Sequence, residues 1–321
     1  MKNYLILDIG GTKTTAVVFD ENDMPLTPFI KNKSKTYEGE EAVLKNTIAC
    51  GYEALKAAGI TSSSLSGVGV AAPGPLDYRT GRIIDVPMMG WKDFPLGDLL
   101  RKEFGVPVLV ENDGNLGALA EANVGAAKGE QTVLYQTIST GCGGGIAING
   151  DIFHGKHGFA GEFGHVSINF EGISCGCGNN GCFETYASGT ALKARMKRDM
   201  RKGIRSAVFD AVGQDPGKLN GGVLAEAAAA GDRYALEMLE EEGVYIGTGL
   251  ANLVNLFDPD AIVLAGGVMK AQEFFWDSMM DTVHRKACFH VEDDVIRLSK
   301  LNDEAVAWGA YVMIRRAMEK F

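Results

Sequence analysis

Tyr4-Leu5-Ile6-Leu7-Asp8-Ile9-Gly10-Gly11-Thr12-Lys13-Thr14-Thr15-Ala16-Val17-Val18-Phe19 reads as an apolar strand, a glycine-rich turn and a second strand. The polar turn Asp20-Glu21-Asn22-Asp23 then allows a third strand. The pattern recurs further on. Val133–Ile138 is apolar, Ser139-Thr140-Gly141-Cys142-Gly143-Gly144-Gly145 is the turn, Ile146-Ala147-Ile148 is the return strand, and Asn149-Gly150 is a hairpin turn. Two copies of one unit therefore start near residues 4 and 133, which predicts a duplicated domain with a cleft between the copies. Glycine-rich turns facing that cleft offer backbone N–H groups to a polyphosphate from both sides.

The segments between and after the copies alternate helices with short apolar strands, so the expected fold class is α/β. Helical spacing runs over 40–58 and 95–104. Strands are expected at 65–71 and 107–110, the latter leading into Glu111-Asn112-Asp113-Gly114-Asn115 and a helix over about 116–124. Later helices are expected at 187–202, 223–230 and 233–257, the last stopped by Asp258-Pro259. A strand at 261–264 ends in Ala265-Gly266-Gly267-Val268, another lies near 295–298, and Asn302-Asp303 caps a final helix over 304–320.

At 321 residues the chain can hold two cores. Its net charge of −10 argues against a broad phosphate-neutralising surface, so no nucleic-acid partner is expected. No leader is visible, and no apolar run approaches the ~18 residues that span a bilayer. The expectation is a cytoplasmic protein with no membrane partner. Cysteines are reduced there, and Cys175, Cys177 and Cys182 cluster at metal-ligand spacing. His165 lies just upstream. Three thiolates and one imidazole make a closed tetrahedral shell, which suits structural zinc better than catalytic zinc or an iron–sulfur cluster. Glu162 and Glu184 flank the cluster, and a fixed loop would aim both at a polyol. The alternative is two solvated glutamates. Cys50, Cys142 and Cys288 read as small buried hydrophobes, and His154, His157, His284 and His290 as ordinary surface or core residues.

In the first turn, Gly10 and Gly11 let the main chain bend toward an oxyanion. Thr12 and Lys13 can donate to it, and Asp8 can hold hydrated Mg²⁺. Neither glycine-rich turn is a Walker A loop. Gly266-Gly267 suits a base or ribose lying over bare backbone, or simply a tight strand–helix turn. Asp113 stands at the carboxyl end of a buried strand, where open α/β sheets bind ligands, and it can take a proton from an attacking hydroxyl. Asn-Asp-Gly is also turn chemistry, and by position alone a helix cap is the better reading.

Taken together these residues resemble the ROK family of sugar kinases and repressors, across essentially the whole chain. Asp8–Lys13 is similar to the family's first phosphate motif, Ser139–Gly145 to its second (with Cys142 at a more often aliphatic site), and Ala261–Val268 to its adenosine-side motif. Asn112-Asp113 resembles the pair in which Asn holds the sugar and Asp is the base, which reverses the preference for a cap. Glu162-Phe163-Gly164-His165 matches a Glu-x-Gly-His motif whose Glu binds sugar hydroxyls and whose His serves both sugar and zinc. Cys175, Cys177 and Cys182 match the zinc cysteines, and Glu184 the second sugar-binding glutamate.

The resemblance implies two actin-like, ribonuclease H-like domains with a cleft between them and a structural zinc loop. The smaller would be 1–115 with 303–321. The larger, 116–302, would carry the zinc loop and an oligomer contact, with a homodimer as the expected assembly. It implies a cytoplasmic, ATP- and Mg²⁺-dependent kinase acting on the 6-hydroxyl of a hexose, first of all glucose. Asp113 is the base. Gly74, Pro75, Asn112, Asp113, Glu162, His165 and Glu184 hold the sugar. Asp8, Gly10, Gly11, Thr12, Lys13, Thr140, Gly141, Gly143, Gly266 and Gly267 hold the nucleotide, with Asp8 on magnesium. Family glucokinases often place Asn three residues before the Trp of the segment Pro87-Met88-Met89-Gly90-Trp91. Met88 stands there and removes an amide that could bond the sugar. N-acetylmannosamine or N-acetylglucosamine is the alternative substrate, ahead of a β-glucoside or fructose. A sugar-responsive repressor is disfavoured, because no room for a helix-turn-helix precedes Asp8.

Overall fold

The computed structural model describes residues 2–320. The chain is built as β1 (Asn3–Ile9), β2 (Lys13–Asp20), β3 (Ile30–Lys33), α1 (Glu40–Ala57), β4 (Leu65–Ala72), β5 (Leu76–Asp77), β6 (Arg82–Val86), β7 (Trp91–Phe94), α2 (Leu96–Phe104), β8 (Val108–Asn112), α3 (Asp113–Asn123), β9 (Thr132–Ile138), β10 (Cys142–Ile148) and β11 (Asp151–Ile152). There follow α4 (Glu184–Ala187), α5 (Gly189–Arg201), α6 (Ala207–Ala211), α7 (Gly221–Ala229), α8 (Arg233–Phe257), β12 (Ala261–Ala265), α9 (Trp276–Lys286), β13 (Ile296–Leu298) and α10 (Ala305–Glu319). Two five-stranded sheets have the orders β3-β2-β1-β4-β8 and β11-β10-β9-β12-β13. In each, the strand before the glycine-rich turn sits at the centre, and the strand after the turn lies on one side of it. The repeat read from the two turns is thus a repeat of topology. No strand is expected from the sequence over 76–94, yet β5, β6 and β7 form a small antiparallel sheet there.

The protein folds as two compact units. One comprises the chain up to Glu130, Gly145–Gly161 and the chain from Asp303 on; the other comprises Gln131–Gly144 and Glu162–Asn302. The division expected from the sequence falls after residue 115; residues 1 and 321 of that division lie outside the described residues. Residues 116–130 group with the first unit because α3 packs along α10. The hairpin tip groups there too, since Asn123 Nδ2 and Arg316 Nη1 both donate to the Gly150 carbonyl (2.9 and 2.8 Å).

In the first unit β1 is buried on both faces, as its unbroken apolar run requires. Leu5, Leu7 and Ile9 join the core under α1 and α2, with Val43, Cys50, Leu100 and Phe104. Tyr4 and Ile6 point the other way, into a second core with Leu116, Tyr311 and Ile314 from α3 and α10. Both layers position the carboxyl ends of β1, β4 and β8, where Asp8, Ala72 and Asn112 stand in neighbouring registers.

In the second unit β9, β12 and β13 are parallel, with Thr137 opposite Ala265 at their carboxyl ends. The 25-residue α8 packs closely on α9 and supports α4 and α7. Between Val268 and Phe274 the backbone is a run of 3-10 turns, so the helix expected directly after Gly267 begins only at Trp276.

Candidate functional site

Each unit carries its own part of the candidate site. In the first, β1 delivers Asp8 and the chain turns at once: Gly10 N donates to Lys13 O (3.0 Å). The outward carbonyls are tied down, Gly10 O by Ser34 Oγ (2.5 Å), Gly11 O by Thr36 Oγ1 (3.4 Å) and Thr12 O by Ser34 N (3.0 Å). The Gly11 and Thr12 amides have no acceptor among the described residues, and Thr12 and Lys13 are exposed. A turn with its carbonyls occupied and its amides free fits an oxyanion. The side chain of Met88, 60 % exposed, lies over Gly11.

The Asn112-Asp113 corner resolves the question of the helix cap. Asn112, in extended backbone, is the N-cap of α3, and its Oδ1 accepts from Gly114 N (2.9 Å) and Asn115 N (3.3 Å). The helix starts at Asp113, three residues earlier than the sequence periodicity indicates. Asp113 therefore does not cap, and the residue is exposed at the corner. The Asn112 amide nitrogen faces Gly74, and the Gly74–Pro75 bond is cis.

Burial pushes the Asp8 carboxyl up to about 7, helped by the negative charge of Asp113 and opposed by Lys13 and Lys31. Asp113 is also raised, by the protein packed around it, against the pull of the Gly114 amide. A buried carboxyl group whose ionisation is opposed by a second carboxylate suits a divalent cation, which would offset the negative charge. The unfolded Asp8 titrates near 3.8 and the folded one near 7. The ion-free protein thus loses stability as pH rises from about 4 to 7, and the loss is complete above 7. Asp8→Asn should stabilise the ion-free protein at pH 8 by on the order of 1–2 kcal/mol, and by clearly less at pH 5. Thermal melts at the two pH values check this.

In the second unit β9 ends at Ile138, and Ser139 N closes the turn on Gly141 O (2.8 Å). The Ser139 and Thr140 carbonyls are held by the start of α5, through Gly189 N (2.7 Å) and Thr190 Oγ1 (2.7 Å). Gly266 has φ 102° and lies against the Ile138 carbonyl, where any side chain would collide. Ser139, Thr140, Thr190, Lys193, Gly222 and Gly267 are among the residues lining a pocket of about 370 Å³. Glycines leave backbone bare on one part of this pocket, while Leu192, Leu219 and Val268 give it apolar surface, a lining that suits a nucleoside.

The same unit carries the cysteine loop. Gly181 N donates to Ile173 O (2.7 Å), Cys175 N to Asn179 O (2.7 Å) and Phe183 N to Val166 O (2.8 Å). Tyr186 Oη accepts from Ile173 N and from Asn169 Nδ2 (both 3.1 Å). One ligand atom each from His165, Cys175, Cys177 and Cys182 lies within 4.8 Å of every other. Cys177 and Cys182 sulfurs are 3.5 Å apart, and Cys175 Sγ is 3.8 Å from His165 Nδ1. Those separations are far beyond a disulfide. They match the ~3.7 Å edges of a tetrahedron around an ion with ~2.3 Å bonds to sulfur. The four residues fit one tetrahedral ion.

The loop meets the second turn directly. Gly164 lies flat on the Cys142 carbonyl, with no room for a Cβ. Glu184, two residues after the buried Cys182, accepts from Cys142 N through Oε2 (2.9 Å) and lies against Gly141. Glu162 is exposed at the head of the Phe163–His165 turn, and its carbonyl accepts from His165 N (3.1 Å). The second unit so gathers Thr140, Gly141, Gly143, Glu162, His165, Glu184 and Gly266-Gly267, while the first gathers Asp8, Gly10–Lys13, Gly74, Asn112 and Asp113.

Two residues at the site escape a reading of the sequence. Glu111, 3 % exposed, accepts from Asn112 N (2.8 Å) and Asn115 Nδ2 (3.0 Å) and meets His154 Nε2 at 2.6 Å. His154 is therefore not an ordinary surface or core histidine. The only signal is a charged residue within the otherwise apolar strand before Asn112.

Comparison with known proteins identifies the family. The ROK family model matches residues 4–317, and the chain belongs to the ROK family. Glucokinase of Halalkalibacterium halodurans is 34 % identical over 99 % of this chain and 97 % of its own length. A putative xylose repressor of Caldicellulosiruptor is 31 % identical over 89 % of this chain and 72 % of its own length. Among solved structures, a ROK glucokinase of Streptomyces griseus in complex with glucose and AMPPNP is 30 % identical with a TM-score of 0.81, over 98 % of this chain and 99 % of its own.

Proposed function

We propose that the protein is a sugar kinase that moves the γ-phosphoryl group of ATP to the 6-hydroxyl of a hexose, with glucose as the first candidate. The observation that carries the reading is Asp113, a carboxylate released from helix capping by Asn112 and standing open beside Asp8. Asp113 takes the hydroxyl proton as the sugar oxygen bonds to phosphorus, and the bond from phosphorus to the bridging oxygen of ADP breaks in line. The free Gly11 and Thr12 amides and the turn at Thr140–Gly143 receive developing phosphate charge. Asp8 would hold Mg²⁺, which when bound neutralises charge on the phosphates. Asn112, with Gly74 and Pro75, and Glu162, His165 and Glu184 hold sugar hydroxyls. Gly266-Gly267 and the pocket beside them take the nucleoside.

Both halves are read as actin-like domains. His165, Cys175, Cys177 and Cys182 would hold structural zinc, and the assembly would be a cytoplasmic homodimer. Support for glucose comes from the glucokinase relative and from the Streptomyces griseus protein with bound glucose and AMPPNP. N-acetylmannosamine or N-acetylglucosamine is the alternative, since Met88, a thioether over Gly11, offers no amide to a sugar and so leaves glucose without that contact. Kinship to a putative xylose repressor supports a sugar-responsive DNA-binding role as a second reading. ADP release with a sugar panel separates them, because a repressor binds sugar without consuming ATP.

A further inference from the structure

Glu111 is a buried carboxylate at the end of β8 with both oxygens engaged. Oε1 accepts from Asn112 N and Asn115 Nδ2, and Oε2 pairs with His154 Nε2. His154 comes from the loop after β11, and its ring stacks on Tyr78 at a centroid distance of 3.6 Å and an interplanar angle of 8°. Tyr78 follows the Gly74-Pro75 turn, packs against Gly158, and has the Arg79 guanidinium over its ring at 5.0 Å. Three chain segments of the first unit thus meet at this imidazole: the β5–β6 turn that carries Tyr78, the end of β8 that carries Glu111, and the loop after β11.

We propose that Glu111 and His154 are a positioning couple for the Asn112-Asp113 corner, with Tyr78 as its backing. The inference rests on the kinase reading above. Asn112 is pinned at both ends, its N–H by Glu111 and its side-chain oxygen by the start of α3. Little freedom remains at the next residue, so Asp113 leaves the corner in one direction. His154 supplies the donor that keeps Glu111 Oε2 satisfied. Without it, a buried oxygen loses its partner and the carboxylate turns toward other donors, releasing Asn112 N. The couple touches neither sugar nor phosphate and works only through the groups it holds.

The test uses the full chain, ATP and glucose in a coupled assay. His154→Ala should lower kcat roughly 10- to 100-fold, the scale of an ångström-level misplacement. KM for ATP should stay within about twofold, since the nucleoside pocket belongs to the other unit. His154→Gln, whose side-chain Nε2 can donate from the same place, should recover to within about threefold of wild type. Amide exchange at Asn112 and Gly114 should quicken by about tenfold in the alanine variant and not in the glutamine variant. A kcat for the alanine variant within twofold of wild type would overturn the proposal, as would glutamine rescuing nothing. Should His154→Ala not fold, Tyr78→Leu leaves Glu111 its donor and should give a smaller kcat loss in the same direction; no loss would overturn the proposal. Should the wild type phosphorylate no sugar, the kinase reading falls by itself. The exchange experiment then decides the positioning claim, and unchanged exchange in His154→Ala refutes it.

Discussion

Asp113→Asn is expected to lower kcat for phosphoryl transfer by roughly 10³- to 10⁴-fold and to leave sugar affinity within about threefold of wild type. The two side chains have nearly the same shape, and the amide can still bond a hydroxyl. What disappears is the group that accepts the proton. The fold should survive, because Asn112 supplies the helix cap and the Asp113 carboxylate bonds local groups of the same corner, the Gly114 amide (2.8 Å) among them. The acid limb of the wild-type profile carries the same signature. A base works when deprotonated, and Asp113 and Asp8 are both raised, Asp8 to about 7. Activity should fall off on acidification well above the range of an ordinary carboxylate, with the pair titrating together. Calorimetric sugar binding beside steady-state kinetics separates the outcomes. Activity retained in Asp113→Asn would remove Asp113 as the base.

Stripping the metal from the cysteine loop, by chelator or by Cys177→Ser, should weaken sugar binding by at least about tenfold and lower the melting temperature by several degrees. Cys177 is exposed, so the substitution creates no cavity and removes chiefly a candidate metal ligand. A bound ion would hold both ends of the loop. Toward the amino end it would fix His165, whose backbone N–H is bonded to the Glu162 carbonyl; toward the carboxyl end it would fix Cys182, with Glu184 two residues on. Loss of the ion should therefore loosen both carboxylates at once, along with the Glu184 bond to Cys142 N. Elemental analysis should find one zinc per chain. Zinc-free protein with normal sugar affinity would show that the loop is not a clip for the sugar site.

The sequence carries the sheets well because their physics is local. An apolar run before a glycine-rich turn makes a central strand, and its recurrence at 133 announces the second sheet. The cysteine spacing carries the metal group for the same reason, since four ligands within twenty residues need little else to converge. Three features are not legible. Helix α3 begins at Asp113 because the Asn112 side chain reaches Gly114 and Asn115, and a turn-like Asn-Asp-Gly gives no warning of that. The small sheet over 76–94 depends on Trp91 and Ile83 packing into a core assembled from distant segments. The pairing of His154 with Glu111 joins residues 43 positions apart, and nothing in the sequence around His154 sets it apart from the other histidines.

ADP release over a panel of D-glucose, N-acetylmannosamine, N-acetylglucosamine, D-fructose and a β-glucoside, with ATP and Mg²⁺, tests the central claim most directly. The predicted result is turnover with at least one of them, glucose first, and a product phosphorylated on its 6-oxygen. Saturable sugar binding with no ADP release for any member of the panel would contradict it.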